Sequence, residues 1–159
     1  FILKFIMTSL AKITTKEALK EQMSVWSKEG KVVFTNGCFD ILHLGHVDYL
    51  EKARNLGAKL IVALNTDQSV QRLKGQGRPI CSQESRTRVM AALEFVDAVI
   101  LFDEETPLEL ISYLKPDILV KGDDYKPENI VGADIVVKNG KDTVDKKYAT
   151  DGNPRKKKN

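Results

Sequence analysis

The sequence predicts an α/β fold, a doubly wound parallel sheet in a single domain. Three observations carry that expectation. Short runs that are apolar at nearly every position recur along the chain with helical stretches between them, the pattern of strands covered on both faces. Polar residues collect directly after those runs, where a parallel sheet of this kind holds its ligands. A length of 159 residues, 42% of them hydrophobic, supplies one core and is too short for two ordinary domains.

The first helix follows Thr14-Thr15, whose hydroxyls suit a capping position. Ala18, Leu19, Met23, Val25 and Trp26 then give it an apolar face, and Gly30 marks its end. Val32-Val33-Phe34-Thr35 reads as a buried strand leading into the turn Asn36-Gly37, and a helix follows from about Leu44 to Leu56, closed by Gly57. Leu60 to Leu64 is the second strand, with Lys74 on a mobile loop beyond it. Ser85 to Phe95 is helical, Ala98 to Phe102 the third strand, and Pro107 opens a helix from Leu108 to Leu114. Ile118-Leu119-Val120 and Ile135-Val136-Val137 are the remaining strands. From Lys141 hydrophobic periodicity fades, so residues 141–159 are expected to be a disordered basic tail. Residues 1–13 are an N-terminal extension, which leaves 14–140 as the domain.

Charge and cysteine usage exclude several function classes. The net charge is +3, and much of it comes from Arg155, Lys156, Lys157 and Lys158, so the body is near neutral and no nucleic-acid partner is expected. Cys38 and Cys81 lie far apart in a spacing that fits neither a metal site nor a disulfide framework, which points to a reducing, cytoplasmic setting. The apolar opening Phe1 to Ile6 is too short to span a bilayer and lacks the features of a signal peptide, so no membrane partner is expected. Met7 is the expected natural start.

The chemistry concentrates in the stretch from Asn36 to His46. It leaves the first strand through a glycine turn and enters a helix, where backbone N–H groups and the helix dipole favour an anion such as a phosphate chain. His43 and His46, the only two histidines in the chain, are three residues apart and project from the same side of a first helical turn. Gly45 between them leaves room for close approach. Imidazoles there can donate to phosphate oxygens and answer the charge that develops when an α-phosphate is attacked. The plain alternative, two surface or core histidines, does not account for their pairing at the end of the first strand. A zinc pair would need a further ligand, for which Asp40 is the one near candidate, and no metal-binding residues are expected. Cys38 has no separate base, so its backbone matters more than its thiol.

Gly37-Cys38-Phe39-Asp40 followed by His43-Leu44-Gly45-His46 resembles the signature of the cytidylyltransferase-like nucleotidyltransferase superfamily, which has a Rossmann-like fold. Further stretches narrow the resemblance: Leu64-Asn65-Thr66-Asp67, Arg72-Leu73-Lys74-Gly75 with Arg78-Pro79-Ile80, Phe102 to Pro107, and Val120-Lys121-Gly122-Asp123-Asp124-Tyr125. Together they are similar to the adenylyltransferases that make ADP-heptose from heptose 1-phosphate for the lipopolysaccharide core. The resemblance implies catalytic roles for His43, His46, Lys74 and Arg86, with the two histidines on the triphosphate, Lys74 swinging onto the phosphates and Arg86 clamping the acceptor phosphate. It implies nucleotide contacts for Asn36, Gly37, Cys38, Phe39, Gly45, Lys121, Gly122 and Asp123, and acceptor contacts for Asp40, Asn65, Asp67, Arg78 and Asp124. It also implies ATP as substrate with Mg²⁺, a phosphorylated sugar as acceptor, and a homodimer. After Gly140 the chain lacks the Ser-Thr-Thr-type motif that the family places before a closing helix. Two other readings follow from the same residues: a cytidylyltransferase for glycerol phosphate or a related alcohol phosphate, and a nucleotide-binding module without turnover.

Overall fold

The structure is a computed structural model that describes residues 9–121 and 130–145. Its centre is one five-stranded sheet in the order β3-β2-β1-β4-β5, with β1 at Val32–Gly37, β2 at Lys59–Asn65, β3 at Ala98–Phe102, β4 at Ile118–Lys121 and β5 at Asp142–Asp145. Every pairing is parallel. The chain steps outward from β1 to β3 and then crosses back, so that β4 pairs with the other edge of β1 through Val33 with Ile118 and Phe34 with Leu119. That reversal opens a crevice between the carboxyl ends of β1 and β4.

Period-two alternation sorts the strands between two cores. Ile61 and Ala63 join Phe34, Leu19, Met23, Leu110, Ile111, Leu114 and Val136 on one face. Leu60, Val62 and Leu64 join Val33, Leu50, Ala53, Met90, Ala91 and Val120 on the other. The first face is covered by α1 at Lys16–Trp26, α5 at Leu108–Leu114 and α6 at Ala133–Lys138. The second is covered by α2 at Leu44–Arg54 and α4 at Gln83–Ala92. Thr15 caps α1 by accepting from the Ala18 N–H, as the sequence implies. The doubly wound parallel architecture is therefore present, with helices on both faces.

Four local expectations need correction. Ile135-Val136-Val137, expected as a strand, lies in α6, where Ala133 and Val136 are buried and Val137 is exposed. Three apolar residues do not distinguish helix from strand, and the i, i+3 burial shows which period applies. In the tail expected to be disordered from Lys141, residues 142–145 form β5, because the outer edge of β4 offers a row of backbone donors and acceptors that another strand can pair. The N-terminal extension reaches less far than residue 13. Leu10–Lys12 is a short 3-10 turn, Ile13 bridges Val99 on the β3 edge, and Lys12 Nζ donates to the Leu93 carbonyl at 2.9 Å. The fourth correction is a further helix, α3 at Asp67–Lys74, which stands where a mobile loop was expected. Its signals were local: Thr66 caps it by accepting from the Ser69 N–H, and Gly75 ends it at φ 91°.

Among the described residues no helix is long and apolar enough to cross a membrane.

Candidate active site

Residues after β1 build the first half of the site. Phe39 adopts the left-handed region at φ 45°, and its ring lies so close to Gly37 that a side chain there would meet it at 2.9 Å. The Phe39 ring then packs edge-on against His46, with centroids 5.1 Å apart. His43 is the N-cap of α2 and its ring stacks on that of His46 at 3.9 Å. Gly45 permits this, since a Cβ at that position would come within 3.1 Å of the His43 ring.

The hydrogen bonds at this helix start fix the tautomers. His43 Nδ1 accepts from the Gly45 N–H at 3.1 Å, and His46 Nδ1 accepts from the His43 N–H at 3.4 Å. A ring nitrogen that accepts carries no proton, so each neutral imidazole bears its hydrogen on Nε2. Two N–H donors thus stand side by side at the positive end of the helix dipole. The helix itself is anchored from below. The buried Tyr49 hydroxyl meets Thr35 Oγ1 at 2.6 Å and donates to the Val120 carbonyl at 3.2 Å, tying α2 to β1 and β4. Burial pushes the Tyr49 hydroxyl up to about 12 despite the Thr35 hydrogen bond, so it stays a neutral strut.

The second half is a cavity of about 300 Å³ over the carboxyl ends of the strands. Asn36, Gly37, Cys38, Asn65, Lys74 and Lys121 line it, together with residues of the β3 to α5 connection. Six of the residues assigned to nucleotide, acceptor or catalysis from the sequence therefore share one space. Lys74 reaches it as the last residue of α3, which replaces the expected mobile loop. Burial lowers the Lys121 ammonium to about 8, with the nearby Cys38 opposing that shift. Lys74 and Lys121 thus bring two ammonium groups to the lining of one cavity, which Glu105 also lines. A larger hollow of about 520 Å³ beside β3 includes neither histidine, Lys74 nor Lys121 in its lining.

Arg86, Asp40, Asp67 and Arg78 are placed differently from what the sequence suggests. Arg86 is buried under the site and donates to the carbonyls of Cys81 at 3.0 Å, Cys38 at 2.8 Å and Asn65 at 2.8 Å, and to Asp67 Oδ1 at 2.7 Å. Four of its five N–H groups are thereby engaged within the protein, which leaves no bidentate fork for an acceptor phosphate. It holds the chain after β1 against the chain after β2. Asp40 is equally committed: its carboxylate accepts from Arg78 Nε at 2.6 Å, the Ile80 N–H at 2.9 Å and the Cys81 N–H at 2.8 Å. Burial alone would raise its pKa, but these three partners outweigh burial and bring the carboxyl down to about 2. Asp40 and Arg78 thus pin the 78–81 segment. Asn65 donates to Ser69 Oγ at 2.9 Å and lines the cavity. Gly122, Asp123 and Asp124 lie outside the described residues. Among the described residues no group of three or more His, Cys, Asp or Glu is arranged to hold a metal ion.

Paired histidine donors at a helix start, with a cavity lined by two lysines over the carboxyl strand ends of the same parallel sheet, define a nucleotidyltransferase. The profile described as Cytidylyltransferase-like matches residues 34–149, and the chain belongs to that family. It is 56% identical over 127 residues to the "Bifunctional protein HldE" of Syntrophotalea carbinolica, covering 79% of this chain and 26% of that protein. It is 60% identical over 127 residues to the protein of the same name from Campylobacter jejuni subsp. doylei, covering 80% and 27%. The chain thus spans about a quarter of the curated relatives it matches. Among solved structures it resembles the lipopolysaccharide core biosynthesis protein from Thermoplasma volcanium at 34% identity and a TM-score of 0.59, covering 73% of this chain and 93% of that one. Pantothenate synthetase from Thermus thermophilus, at 17% identity and a TM-score of 0.51, shares the fold.

Proposed function

We propose that this chain transfers AMP from ATP to a sugar 1-phosphate of the heptose type, giving ADP-heptose and pyrophosphate. The observation that carries the reaction is the pair of imidazoles, His43 and His46, whose Nδ1 atoms accept from main-chain N–H groups at the start of α2 and so leave the hydrogen on Nε2. The acceptor class follows the motif resemblance. The Thermoplasma volcanium relative is described as a lipopolysaccharide core biosynthesis protein, which fits a nucleotide-sugar precursor.

An oxygen of the acceptor phosphate attacks the α-phosphorus in line. A new P–O bond forms, the bond to the β-phosphate breaks, and its electron pair leaves with pyrophosphate. The chain forms no covalent intermediate. His43 and His46 donate to the triphosphate oxygens that gain charge, and Lys74 and Lys121 hold the phosphates of the two substrates within reach of each other. Arg86 and Asp40 fix the segments on which these groups ride. The site's donor set consists of N–H groups and ammonium ions, which suits anions, so Mg²⁺ would arrive on the triphosphate and be held by phosphate oxygens and water, screening their charge. The enzyme works in the cytoplasm, and a homodimer is its expected assembly.

The test is pyrophosphate release from each nucleoside triphosphate with each acceptor. ATP with heptose 1-phosphate should turn over fastest. Turnover of CTP with glycerol phosphate, and none with ATP, would overturn the assignment.

A further inference from the structure

The cavity over the carboxyl ends of the strands is lined by a residue with a buried, unpaired polar atom. Asn36 Oδ1 is buried and has no hydrogen-bond partner among the described residues. Buried side-chain acceptors are nearly always paired, because losing hydration without a replacement is unfavourable. Nothing in the strand demands an amide there: the residues before it are Val32, Val33, Phe34 and Thr35, and Val131 and Pro107 stand across the cavity. We propose that Asn36 is a specificity-determining residue whose side-chain carbonyl accepts a hydrogen bond from a hydroxyl of the acceptor sugar. The inference rests on the reaction proposed above.

Position separates acceptor from nucleotide. α2, at whose start the histidines stand, packs through Leu50 and Ala53 on the sheet face of Val33 and Val120. Two residues along β1 from Phe34, Asn36 shares the opposite face, where α5 and α6 lie. A triphosphate at the start of α2 and a ligand over Asn36 therefore flank the end of β1, and Gly37 lies between them without a side chain. The second ligand shares with the triphosphate a cavity lined by Lys74 and Lys121, and it also meets neutral or acidic hydrogen-bond acceptors at Asn36 and Glu105. A phosphate on a hydroxyl-rich body suits both sets of groups. A hydroxyl is also the group that satisfies an amide whichever of its two ends faces the ligand, since it both donates and accepts.

The experiment compares the intact wild-type chain with Asn36→Ala and Asn36→Asp, measuring pyrophosphate release with ATP and either heptose 1-phosphate or its monodeoxy analogues. In the wild type one monodeoxy analogue should lose about ten- to hundredfold in kcat/KM relative to the parent sugar, the scale of leaving one neutral buried acceptor unpaired. Asn36→Ala should lower the parent by a similar factor and abolish the penalty on that analogue, with the KM for ATP unchanged. Asn36→Asp, which keeps an acceptor oxygen, should retain the penalty. If Asn36→Ala lowers the parent and every analogue equally, the residue is only structural. If the change falls on the KM for ATP, it reads the nucleotide. Either result overturns the proposal, and Asn36→Asp serves the same comparison if the alanine variant does not fold. Absence of any turnover of heptose 1-phosphate by the wild type would instead defeat the reaction assignment. The same comparison would then be made with the deoxy forms of whichever sugar or alcohol phosphate the wild type does use.

Discussion

His43 uses its two ring nitrogens for different purposes. Nδ1 caps α2 by accepting from the Gly45 N–H, and Nε2–H is the donor that the proposed reaction assigns to the phosphates. The two roles are separable by substitution, because asparagine is a good N-cap with an acceptor at the Nδ1 position but has nothing at Nε2. His43→Asn should therefore leave the melting temperature within about 2 °C of the wild type, since the cap bond is worth roughly 1 kcal/mol and is replaced in kind. Its kcat should fall about a hundredfold, the scale of losing one transition-state donor. Equal losses of stability and turnover in His43→Asn would show that capping was the whole contribution. This pair was legible in the sequence because spacing alone set it: two histidines, a glycine between them and a strand end before them leave few other arrangements. The orphaned Asn36 oxygen was not legible, because what an amide lacks depends on every neighbour around it.

At the scale of elements, the site depends on how the ends of β1, β2 and α4 are held together. Arg86 does this from the buried face of α4, bonding three main-chain carbonyls and Asp67. The sequence contained a hint that a free phosphate clamp was the wrong role. Arg86 precedes Met90 by four residues, so helical spacing aligns it with the buried side of α4 rather than with solvent. Which carbonyls converge on it could not be read from spacing, since Cys38 and Asn65 come from two other elements. Arg86→Met should cost about 3 kcal/mol in urea unfolding, because it leaves several acceptors buried and unpaired. Arg86→Lys should recover little of that loss, since one ammonium cannot reproduce a fork that spans three strand and helix ends. An Arg86→Met chain as stable as the wild type would mean that the surrounding loops re-pair without it. The limits of the sequence at this scale were of one kind. Val136 in α6 and residues 142–145 in β5 were misread because short segments take their state from what they pack or pair against.

Across the whole molecule, stability responds to pH through shifted groups such as Asp40 and Lys121, which act at opposite ends of the scale. Asp40 ionises at about 2 in the fold against 3.8 for its ordinary value. Its contribution is present above that ordinary value and is lost as pH falls through about 2. Lys121 behaves in the opposite sense. Its folded value of about 8 lies below the ordinary 10.5, so between those limits the unfolded chain binds the extra proton and stability rises with pH. Below about 8 the fold carries the full cost of a desolvated ammonium. Thermal melts from pH 7 to pH 10 should therefore show a gain in the wild type that is missing in Lys121→Met, where no ammonium is buried. Pyrophosphate bound beside Lys121 would hold the ammonium charged, so saturating it should flatten the wild-type gain, and binding near pH 8.5 should take up protons in calorimetry run in two buffers. An identical pH slope in wild type and Lys121→Met would place the origin of the gain elsewhere. Proton uptake in the wild type that disappears in Lys121→Met would tie the ammonium at the end of β4 to the bound anion.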